Sequence, residues 1–289
     1  MLAVPLAVLA ALLNAAASVL QRRAGSDESD DRAFSLRMLL DLLRRPVWLC
    51  GILAIFAGFV AQAVALAIGS VATVQPVLVA ELPFTIMLAS VVFRVRPRRS
   101  EWVATALMTI GLVLFIVCLA PEGGSPLDVS PLEWVIGLAA TGALEASAAL
   151  LGRASSGHRR AALLGIAAGT GFGLTAALTA AAGAAYHQGV VGVLTSWQTY
   201  AVVLIAPLSL FLLQNALQAG SLVASQPGLT LTNPVVAIIW GIVVFGERAR
   251  GGGWLVGTVS GAVLIGVGTV MLARSPLLAG EQTDAEATL

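Results

Sequence analysis

The sequence predicts an all-α polytopic membrane protein with about nine transmembrane helices in two inverted repeats. Of its 289 residues, 58% are hydrophobic and only 11% are charged, whereas roughly a quarter of the residues of a soluble domain are charged. The apolar residues come in blocks of about 20, the length that crosses about 30 Å of hydrocarbon. Two stretches of the chain also share a series of residues at one constant spacing.

Nine apolar blocks predict the membrane spans. They cover 2–20, 46–68, 71–93, 101–119, 132–152, 161–184, 198–219, 222–245 and 254–273. No basic residues precede the first block, so we interpret it as a retained helix and not as a cleaved signal. Segment 34–43 has leucines at helical spacing with charged residues between them, which is typical of an interfacial helix. The polar tail 275–289 is predicted to be disordered and cytoplasmic.

The arginines predict the orientation in the membrane. The first loop carries six, the loop after the third span four and the loop after the fifth span three, whereas loops 120–131 and 185–197 carry none. Positive residues concentrate in short cytoplasmic loops, so we expect an external N-terminus, a cytoplasmic C-terminus and residence in the plasma membrane. Arg248 and Arg250 fall on the external side and break the rule.

The internal repeat explains this exception. The matched residues, offset by 151 positions, are Gly69, Ser70, Gln75, Pro76, Leu78 and Pro83 with Gly220, Ser221, Gln226, Pro227, Leu229 and Pro234. Upstream, Phe59 and Gln62 match Phe211 and Gln214 at an offset of 152. In a nine-span topology the third and eighth spans run in opposite directions, so the copies are inverted, and an inverted copy places its arginine loop on the opposite face.

The two repeats are unequal in length. The first covers 1–120 with four spans and the second 132–274 with five; the interfacial segment 34–43 stands where we expect the missing span. Inverted repeats are a recurring plan of secondary transporters, which bind their solute near the midplane between the halves.

The residues resemble the drug/metabolite transporter superfamily over the chain up to about Arg274. The strongest likeness is Asn233 to Ala237, followed by Phe245 to Arg248 and a glycine-rich last span. This pattern is common in EamA-type members, which carry two five-span repeats. The nine-span count and the basic loop after Leu20 are similar to the NIPA branch, and that likeness implies magnesium transport. The first half departs from the pattern, with Arg94-Val95-Arg96 where Gly-Glu-Arg is expected.

Two carboxylates inside predicted spans are candidates for the solute or ion pathway. A charged side chain in hydrocarbon costs at least ~2.5 kcal/mol, so it requires a reason. Glu81 lies mid-span between Pro76 and Pro83, which we expect to free backbone carbonyls beside it. Glu145 lies over halfway along the fifth span, where an ion pair or hydrogen bond is an equal alternative. Both are candidate metal ligands.

Uncharged polar residues and prolines complete the predicted site. The amides are Asn14, Gln62, Gln75, Gln214, Asn215, Gln226 and Asn233. Pro76 and Pro83, with their repeat mates Pro227 and Pro234, are predicted helix breaks beside the site. Simple interhelical hydrogen bonds are the alternative for about half of the amides. Three further glutamates, Glu101, Glu133 and Glu247, lie at span ends, where water keeps the free-energy cost of their charge low. We assign a role to Glu247 alone, as a candidate gate residue.

These features predict a secondary transporter that works by alternating access. The solute is a divalent cation such as magnesium, held by carboxylates and carbonyls, or an organic metabolite or drug exported with Glu81 as the proton-coupling group. A structural or receptor-like membrane protein is the alternative of another class. An enzyme is disfavoured because the spans hold no His and no Asp. We expect the bilayer and a small solute as partners, no nucleic acid and no cofactor; a homodimer is compatible with the sequence.

Overall fold

The computed structural model describes residues 2–25, 46–94, 96–219 and 222–274, and helices dominate them. The helices are α1 (Ala3–Gly25), α2 (Pro46–Ile68), α3 (Val71–Leu78), α4 (Glu81–Val92), α5 (Arg99–Leu119), α6 (Pro131–Arg153), α7 (Gly157–Ala184), α8 (Gly189–Thr195), α9 (Trp197–Ala219), α10 (Leu222–Ile239) and α11 (Trp254–Ala273). The predicted interfacial helix 34–43 and the tail 275–289 lie outside the described residues.

Nine helical stretches in the described part of the chain are long and apolar enough to cross a membrane. Their bounds follow the predicted blocks within a few residues, except that the sixth runs on through α8 to Thr195. Large apolar side chains face outward, with Leu204 73% and Val243 72% exposed, as expected where lipid is the solvent. The prediction of an all-α multi-pass membrane protein is confirmed.

The third span is two helices joined by a short turn. Ser70 caps α3 by accepting the backbone N–H of Thr73 (3.2 Å), α3 ends at Leu78, and α4 begins at Glu81. The break therefore lies between the two prolines, as predicted. The carbonyl of Val79 is nevertheless not free, because it accepts the N–H of Leu82 at 3.2 Å. A tight turn of this kind re-pairs the groups that a proline releases.

The matching prolines of the second half do not break their helix, so this part of the prediction is wrong. Pro227 and Pro234 both lie inside the continuous helix α10. The backbone of α10 packs closely against α7, where a Cβ on Gly169 would lie 2.8 Å from the carbonyl oxygen of Leu229. A neighbouring helix at such close range keeps a proline-containing membrane helix continuous.

A π-helical turn, Trp240–Val244, extends α10 at its C-terminal end. The N–H of Phe245 bonds to the carbonyl of Trp240 at 2.9 Å, five residues earlier. The repeat offset is 151 at Pro83 and Pro234 and becomes 152 at Phe93 and Phe245. The π turn lies in this interval, and the one residue that it adds accounts for the change.

Aromatic packing fixes the π turn against its neighbours. The buried Trp240 donates its Nε1–H to Thr141 of α6 at 3.0 Å, and its ring lies 5.3 Å from that of Trp134 and 6.0 Å from that of Phe245. The end of α10 is therefore anchored in the core next to the loop that follows it.

The helices pack around α7 and around one antiparallel pair. More than half of α7 is buried, and it contacts α2, α6, α9 and α10. Helix α5 packs along α11, with Cys118 beside Gly257 at one end and Met108 beside Gly268 further along. The residue numbers rise on one helix as they fall on the other, so the last helices of the two halves run in opposite directions.

Candidate functional site

Glu81 lies where three helices of the first half meet. It is the first residue of α4 and is partly buried, and its side chain is hydrogen-bonded to that of Asn14 on α1. The Oδ1 atom of Asn14 in turn lies directly against Gly58 of α2. Because Gly58 has no side chain, the amide fits between the helices and can donate its N–H to the carboxylate. Two of the predicted site residues are thus brought together.

Glu145 is in a second polar pocket, formed by α6, α7 and α9. It is 8% exposed, and its buried Oε1 atom has no hydrogen-bond partner among the described residues. Opposite lies Gly171, where a Cβ would be 2.9 Å from Oε1 and would also collide with the hydroxyl of Ser209. Burying a carboxyl oxygen without a partner is costly, so this oxygen is available to a hydrogen-bond donor or a cation.

The carboxyl groups of Glu81 and Glu145 lie between different sets of helices. Helix α4 packs against α1 and α5, whereas α6 packs against α7 and the π turn. Among the described residues, no cluster of three or more His, Cys, Asp or Glu side chains could hold a metal ion. The geometry thus gives no support to a metal site shared by Glu81 and Glu145.

Two of the predicted amides have a buried atom that lacks a hydrogen-bond partner among the described residues. These atoms are Nε2 of Gln75 on α3, a side chain that is 2% exposed, and Oδ1 of the half-buried Asn233, where α10 crosses α7. Unpaired buried amides inside a membrane bundle are consistent with a polar pathway that holds water or solute.

The other amides do not form matched pairs. Gln62 is half-buried whereas its repeat mate Gln214 is exposed, and the side chain of Gln226 is not among those described. Asn215 donates to the carbonyl of Phe211 in its own helix at 2.7 Å. The expectation that repeat mates occupy equivalent places around a central cavity gains no support from these positions.

Glu247 is buried, which the hydration argument from sequence did not anticipate. It is 6% exposed, and its two carboxylate oxygens accept the backbone N–H groups of Val71 (2.7 Å) and Ala72 (3.1 Å). These are the first two residues of α3, whose N–H groups have no partner within the helix. A carboxylate of the second half therefore caps the short helix of the first half.

Glycine and burial shape this contact. A Cβ on Gly241 would collide with the carboxylate of Glu247, so the glycine leaves the space that the side chain occupies. Burial raises the pKa of Glu247 above its ordinary value, and the N–H groups of Ala72 and Val71 offset only part of that rise. Glu101 is also buried (3% exposed), but it caps its own helix by accepting the N–H of Arg98 at 2.7 Å.

A short backbone ribbon joins the loops beside Glu247. The N–H and carbonyl of Glu122 bond to the carbonyl (3.0 Å) and N–H (2.8 Å) of Arg248, and the N–H of Ser125 bonds to Phe245 at 2.9 Å. Gly124 permits this approach, since its φ is +75° and a Cβ there would lie 2.6 Å from the carbonyl oxygen of Phe245. We call this end of the bundle, where α2 ends and α3 begins, the ribbon end.

A cavity of about 340 Å³ opens at the ribbon end. Both halves line it, and Glu247 is the one charged side chain among the described residues of its wall. The other lining residues are Leu66, Ala67, Ile68, Gly69, Ser70, Val71, Pro121, Gly123, Gly124, Ser125, Pro126, Ala180, Ala184 and Phe245. Among the side chains that the structure describes, none of those predicted for the pathway lies in this wall, and no local sequence signal links Glu247 with a helix start 175 residues away.

The fold defines a multi-pass α-helical membrane protein with a broken third span. The chain is 32% identical over 283 residues to an uncharacterized protein of Corynebacterium glutamicum, covering 95% of this chain and 96% of that protein. The chain therefore belongs to the same family as that protein. No family model matches the sequence, and no solved structure matches the fold.

Proposed function

We propose that the protein is a secondary transporter that moves a small solute by alternating access. The observation that carries this proposal is the broken third span, which holds Glu81 against Asn14 midway along the span. Interrupted helices with polar groups at the break form the binding sites of many transporters. A purely structural membrane protein gives no reason to keep a carboxylate in hydrocarbon.

The proposal includes two inverted repeats. The antiparallel packing of α5 and α11 supports it, and so does the positive φ at the matching positions Arg94 (55°) and Gly246 (70°), one residue after each matching Phe. Two tightly packed helix pairs also correspond, one in each half: α1 packs on α2, and α7 packs on α9. If α1 matches α7 and α2 matches α9, helix α6 of the second half has no counterpart. The span that the first half lacks is then its first one, whereas the sequence analysis expected it at segment 34–43.

The likeness to the drug/metabolite transporter superfamily supports the same function. Its EamA-type signature, Phe245 to Arg248, coincides with the end of the π turn and the loop at the ribbon end. In the proposed orientation the ribbon end, with its arginine-free loop 120–131, faces the outside of the plasma membrane.

Two solute classes follow from the carboxylates. The geometry favours a small organic solute exchanged for a proton, because Glu81 has an amide as its hydrogen-bond partner and Glu145 lies in a different helix packing. A divalent cation such as magnesium is the second candidate. The buried oxygen of Glu145 that has no partner among the described residues favours it, since hard cations take oxygen ligands.

Transport by the purified protein in proteoliposomes tests the proposal. We expect uptake of Mg²⁺ or of a metabolite from a panel, with a pH gradient driving the organic solute. The Glu81→Gln variant should lose gradient-driven uptake while the control Glu133→Gln, an exposed glutamate at a helix end, retains it. Absence of flux for every solute would remove the transporter proposal, and full gradient-driven flux in Glu81→Gln would remove the role of Glu81.

A further inference from the structure

We propose that Glu247 is the latch of a gate at the ribbon end. By binding the N-terminus of α3 it holds the two halves together there, and it must release this helix for the 340 Å³ cavity to open toward the interior of the bundle. This inference rests on the proposed function, because it describes how the proposed transporter closes one of its two sides.

The chemistry of the contact suits a latch. Two N–H groups at the start of a helix and a carboxylate form charge-assisted hydrogen bonds, which are stronger than neutral ones, and the helix dipole adds to the attraction. Glu247 and Val71 line the cavity, so water can reach the carboxylate and this N–H group when they separate. The contact is thus firm when closed, and its two cavity-lining groups can be hydrated when it opens.

The position of α3 connects the latch to the proposed transport site. The helix has eight residues, about 12 Å at 1.5 Å per residue. Its N-terminus is held by Glu247, and its C-terminus leads through the turn at Val79 and Ala80 to Glu81. A movement of α3 at the latch therefore moves the chain beside the carboxylate that binds Asn14.

The ribbon closes the same seam independently. Backbone hydrogen bonds join Glu122 and Ser125 of one loop to Arg248 and Phe245 of the other. The guanidinium of Arg250 lies over the ring of Trp254 at 5.4 Å, which holds the second loop in place. Together with Glu247, this ribbon connects the first half to the second across the mouth of the cavity.

The repeat makes the latch one-sided. At the offset of 152 that pairs Phe93 with Phe245 and Arg94 with Gly246, the residue that matches Glu247 is Val95. A valine cannot accept hydrogen bonds from a helix start. The carboxylate latch is thus encoded in the second half only, and it acts at the ribbon end only.

Thiol labelling tests the latch without relying on flux. In a chain with Cys50→Ala and Cys118→Ala, Ala180→Cys places a thiol in the wall of the cavity, at a residue that is 2% exposed. We expect Glu247→Ala to raise the rate of labelling by a membrane-impermeant maleimide several-fold. The control Glu133→Ala removes a glutamate that caps only its own helix and should leave the rate unchanged. Equal rates in Glu247→Ala and Glu133→Ala would overturn the latch.

A cross-link provides the opposite change and does not depend on the folding of Glu247→Ala. Glu122 and Arg248 are exposed and directly paired, and hydrogen-bonded antiparallel pairs have Cα atoms about 5.5 Å apart, within the disulfide range. In the Ala180→Cys chain, oxidised Glu122→Cys/Arg248→Cys should be labelled more slowly than the reduced form, and labelling at the same rate would contradict the latch.

Flux through the same chains separates the two proposals. If the cross-link slows labelling and stops uptake until a reductant is added, both stand. If labelling responds as expected but no solute moves in any chain, the latch stands and the transporter proposal falls. If solute moves at the same rate in the oxidised and reduced chains, the latch is wrong and the transporter stands.

Discussion

Single glycines decide where the buried carboxyl groups fit. Gly171 faces both Glu145 and Ser209, Gly58 faces Asn14, and Gly241 faces Glu247. In each case the missing side chain leaves the space into which a polar side chain projects, from another helix at Gly171 and Gly58 and from the following loop at Gly241. The sequence offers many glycines, thirty in all, and only the contacts distinguish these three.

Gly171→Ala should destabilise the protein. The added methyl would lie 2.9 Å from Oε1 of Glu145 and collide with Ser209, and overpacking of this kind costs about 1–3 kcal/mol. We expect a lower melting temperature in detergent. Gly142→Ala is the control, because nothing lies within 4 Å of a Cβ there; an equal loss in both variants would contradict the close packing.

The stability of the protein should depend on pH through Glu247. Burial raises the pKa of this carboxyl in the folded state, so its folded form binds a proton more readily than its unfolded form. Its contribution to stability is then complete below the ordinary pKa of 4.5 and is lost as the pH rises through the raised pKa. The melting temperature of the wild type relative to Glu247→Gln should therefore fall as the pH is raised from 4.5 to neutral.

The opposite pH trend, or none, would show that the two helix N–H bonds outweigh burial. The charged groups beside Glu247 are Arg248 and Arg250 on its own loop and the exposed Glu122 on the facing loop. Glu247→Gln keeps their arrangement and removes only the titrating group.

At the scale of elements, the two halves use the same residues differently. Pro76 and Pro83 flank a true break, whereas Pro227 and Pro234 lie in a continuous helix that α7 supports. The second half departs from regular helix later, in the π turn that the shift in repeat spacing reveals. Proline marks where a helix is weak, and the neighbouring helix decides whether it breaks.

Deletion of Val243 should disconnect the latch. Val243 is 72% exposed, so its side chain is not part of the core, but its removal shortens the π turn by the one residue that sets the direction of the following loop. A residue turns an α-helix by about 100°, so Glu247 would no longer reach Val71 and Ala72. We expect faster labelling of Ala180→Cys. Val243→Ala, which keeps the residue count, should behave like the parent chain.

At the scale of the whole molecule, the halves meet along α5 and α11. A Cβ on Gly111 would lie 2.8 Å from the carbonyl oxygen of Gly261, and one on Gly261 would lie 2.7 Å from that of Gly111. The backbones therefore touch at this crossing, as small residues permit in membrane bundles. This contact forms a fixed part of the boundary between the halves, apart from the seam at the ribbon end.

Gly261→Val should separate this pair and destabilise the protein by more than ~1 kcal/mol, because three added carbon atoms cannot fit between touching backbones. Melting temperature and monodispersity in detergent measure the effect. Gly266→Ala is the matched control on the same helix, since its Cβ would meet only Leu231 at an ordinary 3.9 Å. If Gly261→Val is as stable as Gly266→Ala, the two helices do not pack at this crossing.

The class of fold, the nine spans of the described residues and the break beside Glu81 could all be predicted from the sequence. Hydrophobic block length and proline are local properties, and in a membrane the backbone must satisfy its hydrogen bonds within each span. The sequence could not predict that Glu81 meets Asn14, that Glu145 lies apart from it, or that Glu247 is buried against a helix of the other half. Such partners are set by how helices pack, and contacts across 175 residues leave no periodic signal in a single chain.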